Sequence, residues 1–122
     1  MQQIMPREIT AHEAAIIAWL LDYAAIGDVT AYRTKRISEA QVVEPCGCGC
    51  CSSLVFRKGH PGPKVMVADA LAIYPDGKKA GLILWGYDDE IALLELYEMD
   101  PVADRVPEIA DLCRWEDLSR RT

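Results

Sequence analysis

The sequence predicts an α+β domain, in which an N-terminal helix packs on one face of an antiparallel meander sheet of four to five strands. One observation is a helical spacing of apolar residues between residues 10 and 27, which starts at a capping motif. The other is a set of apolar, strand-like runs between residues 64 and 98 that short polar turns connect. Strands joined by such turns pair antiparallel, because parallel neighbours need a long crossover.

The N-terminal helix is predicted to begin at Thr10. The Thr10 hydroxyl can accept from the Glu13 amide while the Glu13 side chain reaches back to the Thr10 amide, which makes a capping box. Gly27 is expected to end the helix, and His12 to be exposed on its polar side. The apolar stripe contains Ala14, Ile16, Ile17, Ala18, Trp19, Leu20, Leu21 and Ala25.

A short second helix is predicted over 31–37, capped by Asp28 or Thr30. The next segments, 41–44 and 54–57, have the composition of strands, and Pro45 confines the end of the first to a sheet edge or a turn. The tail beyond residue 100 is irregular, apart from one helical turn over 108–112. Trp115 and Leu118 are expected to anchor it against the sheet.

Three longer strands are predicted over 64–74, 81–87 and 91–98, joined by turns at 75–77 and 88–90. In the first of them, alternation places Met66, Ala68, Ala70 and Ala72 on one face, and small side chains suit a face that receives a helix. Asp69 and Glu95 interrupt the apolar rows of the sheet. We expect each to meet a backbone amide, an arginine such as Arg57, or solvent.

The length of 122 residues suits one domain, spanning 1–122, with a single core. The longest apolar run, over 14–21, is too short for a bilayer span, so no membrane association is expected. The N-terminus lacks the basic start and apolar region of a secretory signal, which predicts a cytoplasmic protein. Cysteines there are usually thiols or metal ligands.

The net charge of −6 is unevenly distributed along the chain. Residues 1–80 carry nine Lys/Arg against eight Asp/Glu, whereas residues 81–122 carry four against eleven, a local charge of −7. Such a surface repels nucleic acid and attracts a basic protein partner; the alternative is a solvated surface that only maintains solubility. The predicted partner-binding residues are Asp88, Asp89, Glu90, Glu95, Tyr97 and Glu98.

Four of the five cysteines fall within 46–51, where Cys46, Cys48 and Cys50 share one side of an extended segment. Three thiolates would bind zinc if Cys113 or His60 supplied a fourth ligand, although the paired C-x-x-C spacing of structural zinc sites is missing. The intervening glycines also permit an anion-binding loop. The remaining alternatives are structural free thiols, or redox or catalytic thiols.

No catalytic constellation stands out in the sequence. Thiol catalysis needs a base, and of the two histidines one lies at a helix start and the other in a Pro-Gly turn. Asp69 and Glu95 could form an acid–base pair, but structural networks of acids are commoner. We therefore predict a protein without enzymatic activity and without a cofactor.

Several motifs together resemble a group of small uncharacterised bacterial proteins. They are the stretch 46–54 with the pattern C-x-C-G-C-x-S, the Asp76-Gly77 turn before the strand 81–85, and the L-E-x-Y strand at 94–97 that Asp100-Pro101 follows. The resemblance covers roughly residues 10–112. It implies a shared fold and no particular activity.

The functional hypothesis is an acidic protein-binding module, comparable to bacterial immunity or inhibitor proteins that cover basic toxins. The alternative is a zinc- or thiol-dependent protein that uses Cys46, Cys48 and Cys50. An exposed apolar sheet face or edge would in addition favour a homodimer.

Overall fold

A computed structural model describes residues 7–30, 32, 41–42, 44–45, 54–56, 65–87, 90–99 and 107–117. It shows an α+β fold with one 13-residue helix, α1 (Ala11–Tyr23). The strands are β1 (Arg7–Glu8), β2 (Gln41–Val42), β3 (Glu44–Pro45), β4 (Leu54–Val55), β5 (Val65–Ile73), β6 (Lys79–Tyr87), β7 (Glu90–Glu98) and β8 (Leu112–Cys113). Two 3-10 helices, Ile109–Asp111 and Trp115–Asp117, flank β8.

Helix α1 begins as predicted. The Thr10 hydroxyl accepts from the Glu13 amide at 3.1 Å, and the Thr10 amide donates to the Glu13 carboxylate at 2.9 Å. The helix ends at Tyr23, earlier than the predicted stop at Gly27, because the chain that follows joins the edge of β5. There the Ile26 amide donates to the Val67 carbonyl at 2.8 Å, and the Ala24 carbonyl accepts from the Asp69 amide at 3.2 Å.

The predicted meander is confirmed, since β5, β6 and β7 are consecutive antiparallel neighbours. The main sheet has the order β3-β4-β7-β6-β5-β8, in which β3, β4 and β8 contain two residues each. The predicted first strand over 41–44 is divided, because β2 pairs with β1 in a separate two-stranded sheet and β3 joins the main one. At the predicted turn between β5 and β6, Gly77 adopts a φ of 86°, which glycine tolerates best.

The hydrophobic core lies between α1 and one face of the sheet. The small-residue face is confirmed for Ala68, Ala70 and Ala72, which are fully buried and let the helix approach the sheet closely. Met66, predicted on the same face, precedes the register shift, lies opposite Trp85 and is only half-buried. The other main contributors are Ile16, Ile17, Leu20, Leu21, Leu82, Leu84, Leu94 and Leu96. Each large aliphatic side chain contributes about 1.5–3 kcal/mol when buried, so this layer holds the helix in place.

A β-bulge between Met66 and Ala68 alters the alternation expected from sequence. Strict alternation places Val67 on the face of Asp69, but the bulge turns Val67 into the core beside Ala68. A second irregularity lies between Trp85 and Gly86, so that Ile91 lies opposite Gly86 and packs against the core. Bulges add a residue to one strand and bend it, which period-two patterns do not reveal.

The outer edge of β5 is covered along most of its length. Ala25 forms an isolated bridge with Ala68, and β8 pairs with Leu71 and Ala72 further along the strand. Covering a sheet edge removes a row of unpaired amides that would otherwise recruit another strand. The tail was predicted to pack on the sheet, but its pairing as strand β8 was not.

Some predicted elements lie outside the described residues. Of the second helix over 31–37 only Tyr32 is described, and the turn at Asp88-Asp89 is not described. The Asp28 carboxylate accepts from both the amide and the hydroxyl of Thr30, at 3.0 and 2.6 Å. Within the described ranges, none of the helical structure has the length and apolarity that a membrane crossing requires.

Candidate binding face of the sheet

The face of the sheet turned away from α1 carries a mixture of aromatic, aliphatic and acidic side chains. We call it the outer face and define it by six half-buried residues of β5, β6 and β7: Asp69, Ile83, Trp85, Leu93, Glu95 and Tyr97. Trp115 of the second 3-10 helix lies against the same face and is 36% exposed. Aromatic side chains such as these are enriched at protein–protein interfaces.

Asp69 and Glu95 lie in one row across the outer face. Ile83 in β6 is the cross-strand neighbour of Asp69 in β5 and also of Glu95 in β7. Asp69 in β5 and Glu95 in β7 are two strand spacings apart, so their backbones are separated by roughly 10 Å. Ile83 lies in the row between them, so an apolar side chain separates the two acidic positions.

Each of these carboxylates accepts a hydrogen bond from a tryptophan indole. Trp85 Nε1 donates to Glu95 Oε1 at 2.9 Å, and Trp115 Nε1 donates to Asp69 Oδ1 at 2.9 Å. Hydrogen bonds to an ionised acceptor are stronger than neutral ones. The indoles therefore hold both carboxylates in defined orientations. Neither indole was among the partners expected from sequence; both acids are half-buried and keep contact with solvent, and Arg57 lies outside the described residues.

Tyr97 lies in the row next to the one that Asp69 and Glu95 form. Its ring covers Gly81, where an added Cβ would come within 1.9 Å of the ring carbon Cζ. Gly81 precedes Ile83 by two positions, so the ring lies beside the row that Asp69 and Glu95 form. Partial burial raises the pKa of Tyr97 above its ordinary 10.0, and the negative charges of Asp69 and Glu95 raise it further. The phenol is therefore neutral and can donate.

An acid–base pair needs two carboxylates whose surroundings differ, so that one releases protons and the other keeps them. Asp69 and Glu95 have the same kind of neighbour, an indole donor, and both face Tyr97. The site gives no basis for assigning an acid and a base. Its geometry suits the binding of a positively charged group.

The predicted partner-binding residues are only partly described. Glu95 and Tyr97 belong to the outer face, and Glu90 is exposed at the start of β7. Asp88 and Asp89 lie outside the described residues, as does the side chain of Glu98. Sequence reasoning placed Asp69 on this face but identified neither Trp115 as the donor to Asp69 nor Trp85 as the donor to Glu95.

The predicted metal ligands Cys46, Cys48 and Cys50 lie outside the described residues, together with His60. Cys113 is described and buried in β8, where its thiol donates to the Arg114 carbonyl at 3.3 Å. Within the described ranges, no three His, Cys, Asp or Glu side chains are grouped so that they could hold a metal ion.

His12 was predicted to be exposed, and this was wrong. The side chain is half-buried, and its Nε2 lies 2.8 Å from the carbonyl oxygen of Pro107. Because a carbonyl only accepts, Nε2 carries the proton in this contact. His12 thus connects the first turn of α1 to the tail, which is a structural role.

A groove of about 380 Å³ lies between α1 and the tail. On its polar side the Arg114 guanidinium donates to Asp117 at 2.7 Å and lies 3.6 Å from Glu116, so its charge is locally balanced. The apolar side contains the tilted ring pair Trp19 and Tyr23, whose centroids are 5.5 Å apart. The groove lining comprises Trp19, Tyr23, Leu112, Cys113, Arg114 and Asp117.

The chain matches no protein-family model, no curated protein and no solved structure. Its resemblance to a group of small bacterial proteins therefore stays a prediction that rests on the motifs alone.

Proposed function

We propose that this chain is a non-enzymatic protein-binding module that takes a basic protein partner on the outer face. One observation carries the proposal: Asp69 and Glu95 are half-buried, held in orientation by indoles, and without an ion pair in the part of the chain that the structure describes. The second oxygen of each carboxylate has no partner among the described residues and can accept from a cation of a partner protein.

The side chains around the two carboxylates support the proposal that the partner is a protein. Tryptophan and tyrosine are enriched among the residues that contribute most to protein–protein binding, because they offer large contact areas and one polar atom. Trp85, Tyr97 and Trp115 supply such anchors on the outer face, and Leu93 adds apolar area. The face thus combines an apolar contact area with charges that select the partner.

The charge distribution supports a partner that is basic. The outer face is largely formed by residues of the segment 81–122, whose local charge is −7 from four Lys/Arg against eleven Asp/Glu. A concentrated negative potential accelerates encounters with a basic surface and disfavours acidic partners. Binding in the manner of small acidic bacterial inhibitors, which cover a basic toxin, fits this arrangement.

The proposal is tested by calorimetric titration with a panel of small basic proteins, at low and at physiological ionic strength. We expect binding that weakens with salt and that falls at least about tenfold in the double variant Asp69→Asn/Glu95→Gln. The matched control is Glu108→Gln/Glu116→Gln, which removes the same charge from exposed positions beyond the outer face. Equal losses in both variants would show unspecific charge attraction and would refute the proposal, as would binding that salt does not weaken.

A further inference from the structure

We propose that the outer face recognises an arginine side chain of its partner, with the guanidinium held between Asp69 and Glu95 and stacked on the ring of Tyr97. The inference rests on the proposed function and adds to it the chemical group that is recognised. Three features support it: the second oxygen of each carboxylate, the separation of the strands that carry Asp69 and Glu95, and the adjacent ring of Tyr97.

The two carboxylates still offer acceptors. One oxygen of each is occupied by an indole N–H, namely Asp69 Oδ1 by Trp115 and Glu95 Oε1 by Trp85. The second oxygens, Oδ2 and Oε2, have no hydrogen-bond partner among the described residues. The indoles also fix the carboxylate orientations before binding, which lowers the conformational entropy lost when a cation arrives.

The separation of the carboxylates favours a guanidinium over an ammonium. The strands that carry Asp69 and Glu95 are two spacings apart, or roughly 10 Å, with Ile83 between them. A guanidinium is planar and presents five N–H donors on different edges, so it can donate to acceptors on two sides at once. The three donors of an ammonium radiate from one atom, which can reach only acceptors that lie close together.

The surface between the carboxylates also suits a planar cation. The ring of Tyr97 lies beside the row and senses the charge of both Asp69 and Glu95. Arginine stacks on aromatic rings more readily than lysine does, because its delocalised charge is weakly hydrated. Ile83 supplies an apolar floor on which the methylene chain of the arginine can pack.

The test compares a blocked oligoarginine peptide with an oligolysine peptide of equal length and charge, each titrated calorimetrically into the full chain at low ionic strength. We expect the arginine peptide to bind about fivefold more tightly. Asp69→Asn, Glu95→Gln and Tyr97→Leu should each remove this preference. Tyr97→Phe keeps the ring and should retain it, as should Glu108→Gln, which neutralises an exposed acid elsewhere in the acidic segment.

The outcomes separate this inference from the proposed function. If both peptides bind with equal affinity, and both depend on Asp69 and Glu95, the face binds basic partners but does not select arginine, and the inference fails alone. An arginine preference that survives all three outer-face variants would place the recognition elsewhere and would also overturn it. If neither peptide binds at low ionic strength, the inference and the proposed function both fail. Melting curves of every variant exclude loss of folding as the cause of lost binding.

Discussion

At the scale of single residues, Tyr97 and Gly81 explain how the outer face is organised. A side chain at position 81 would meet the Tyr97 ring, so glycine lets the ring occupy the space over β6. A similar contact between a ring and a glycine occurs on the opposite face, where the ring of Tyr32 covers Gly86. A ring placed over a strand glycine restores the packing that the glycine itself lacks. Both glycines therefore allow an aromatic ring to pack closely against the strand backbone.

The raised pKa of Tyr97 makes stability depend on pH in the alkaline range. Since the folded-state pKa exceeds the ordinary 10.0, the folded chain holds this proton to higher pH than the unfolded chain does. The stabilisation is therefore complete below 10.0 and is lost as the pH rises through the folded-state pKa. Urea unfolding along a pH series should show this decline, and Tyr97→Phe should reduce it. An identical alkaline decline in the Phe variant would contradict the assignment to Tyr97.

At the scale of elements, α1 is positioned by both of its ends and by one face. The capping box fixes the start, and the segment after Tyr23 is tied to the edge of β5 through Ala24 and Ile26. Between the ends, the buried isoleucines and leucines of α1 pack on the alanines of β5. The helix thereby covers one face of the meander, and the outer face is the one that α1 leaves uncovered.

The capping box gives a stability prediction for this element. Thr10→Ala removes the acceptor of the Glu13 amide and should lower the free energy of unfolding by about 1 kcal/mol, within the range of about 0.5–2 kcal/mol for such caps. Thr10→Ser keeps a hydroxyl and should stay close to the parent chain. Both are measured by urea denaturation with a common m-value. A loss for Ser as large as for Ala would show that the threonine methyl group, and not the cap, matters.

At the scale of the whole molecule, charge and architecture act together. The acidic segment 81–122 forms β6 from Gly81 onward, β7, β8 and both 3-10 helices, so a stretch with a local charge of −7 supplies most of the outer face. The N-terminal half, which is nearly neutral, supplies the helix that closes the core. Leu82, Leu84, Leu94 and Leu96 of the same segment belong to the core, so the alternation along β6 and β7 places core residues and outer-face residues on opposite faces of one sheet.

The cysteine-rich stretch gives a test that distinguishes the binding proposal from the zinc alternative. Cysteine sulfurs bind zinc as thiolates, so the zinc alternative predicts that protein purified without added metal still carries the ion. We expect elemental analysis of protein purified without added metal to find less than stoichiometric zinc, and Cys48→Ser to leave the melting temperature unchanged. Stoichiometric zinc that is lost in Cys48→Ser, together with a lower melting temperature, would instead support the site formed by Cys46, Cys48 and Cys50.

The sequence by itself determined the features whose causes are local in the chain. The capping box at Thr10, the turn at Gly77 and the alternation in β5 to β7 depend on residues within a few positions of one another, so their patterns are readable directly. Tertiary structure alone decided the early end of α1, the bulge that turns Val67 inward, the pairing of β8 with β5 and the indole of Trp115 on Asp69. Those features depend on contacts between segments far apart in sequence, whose free energy outweighs local preference and leaves no local pattern.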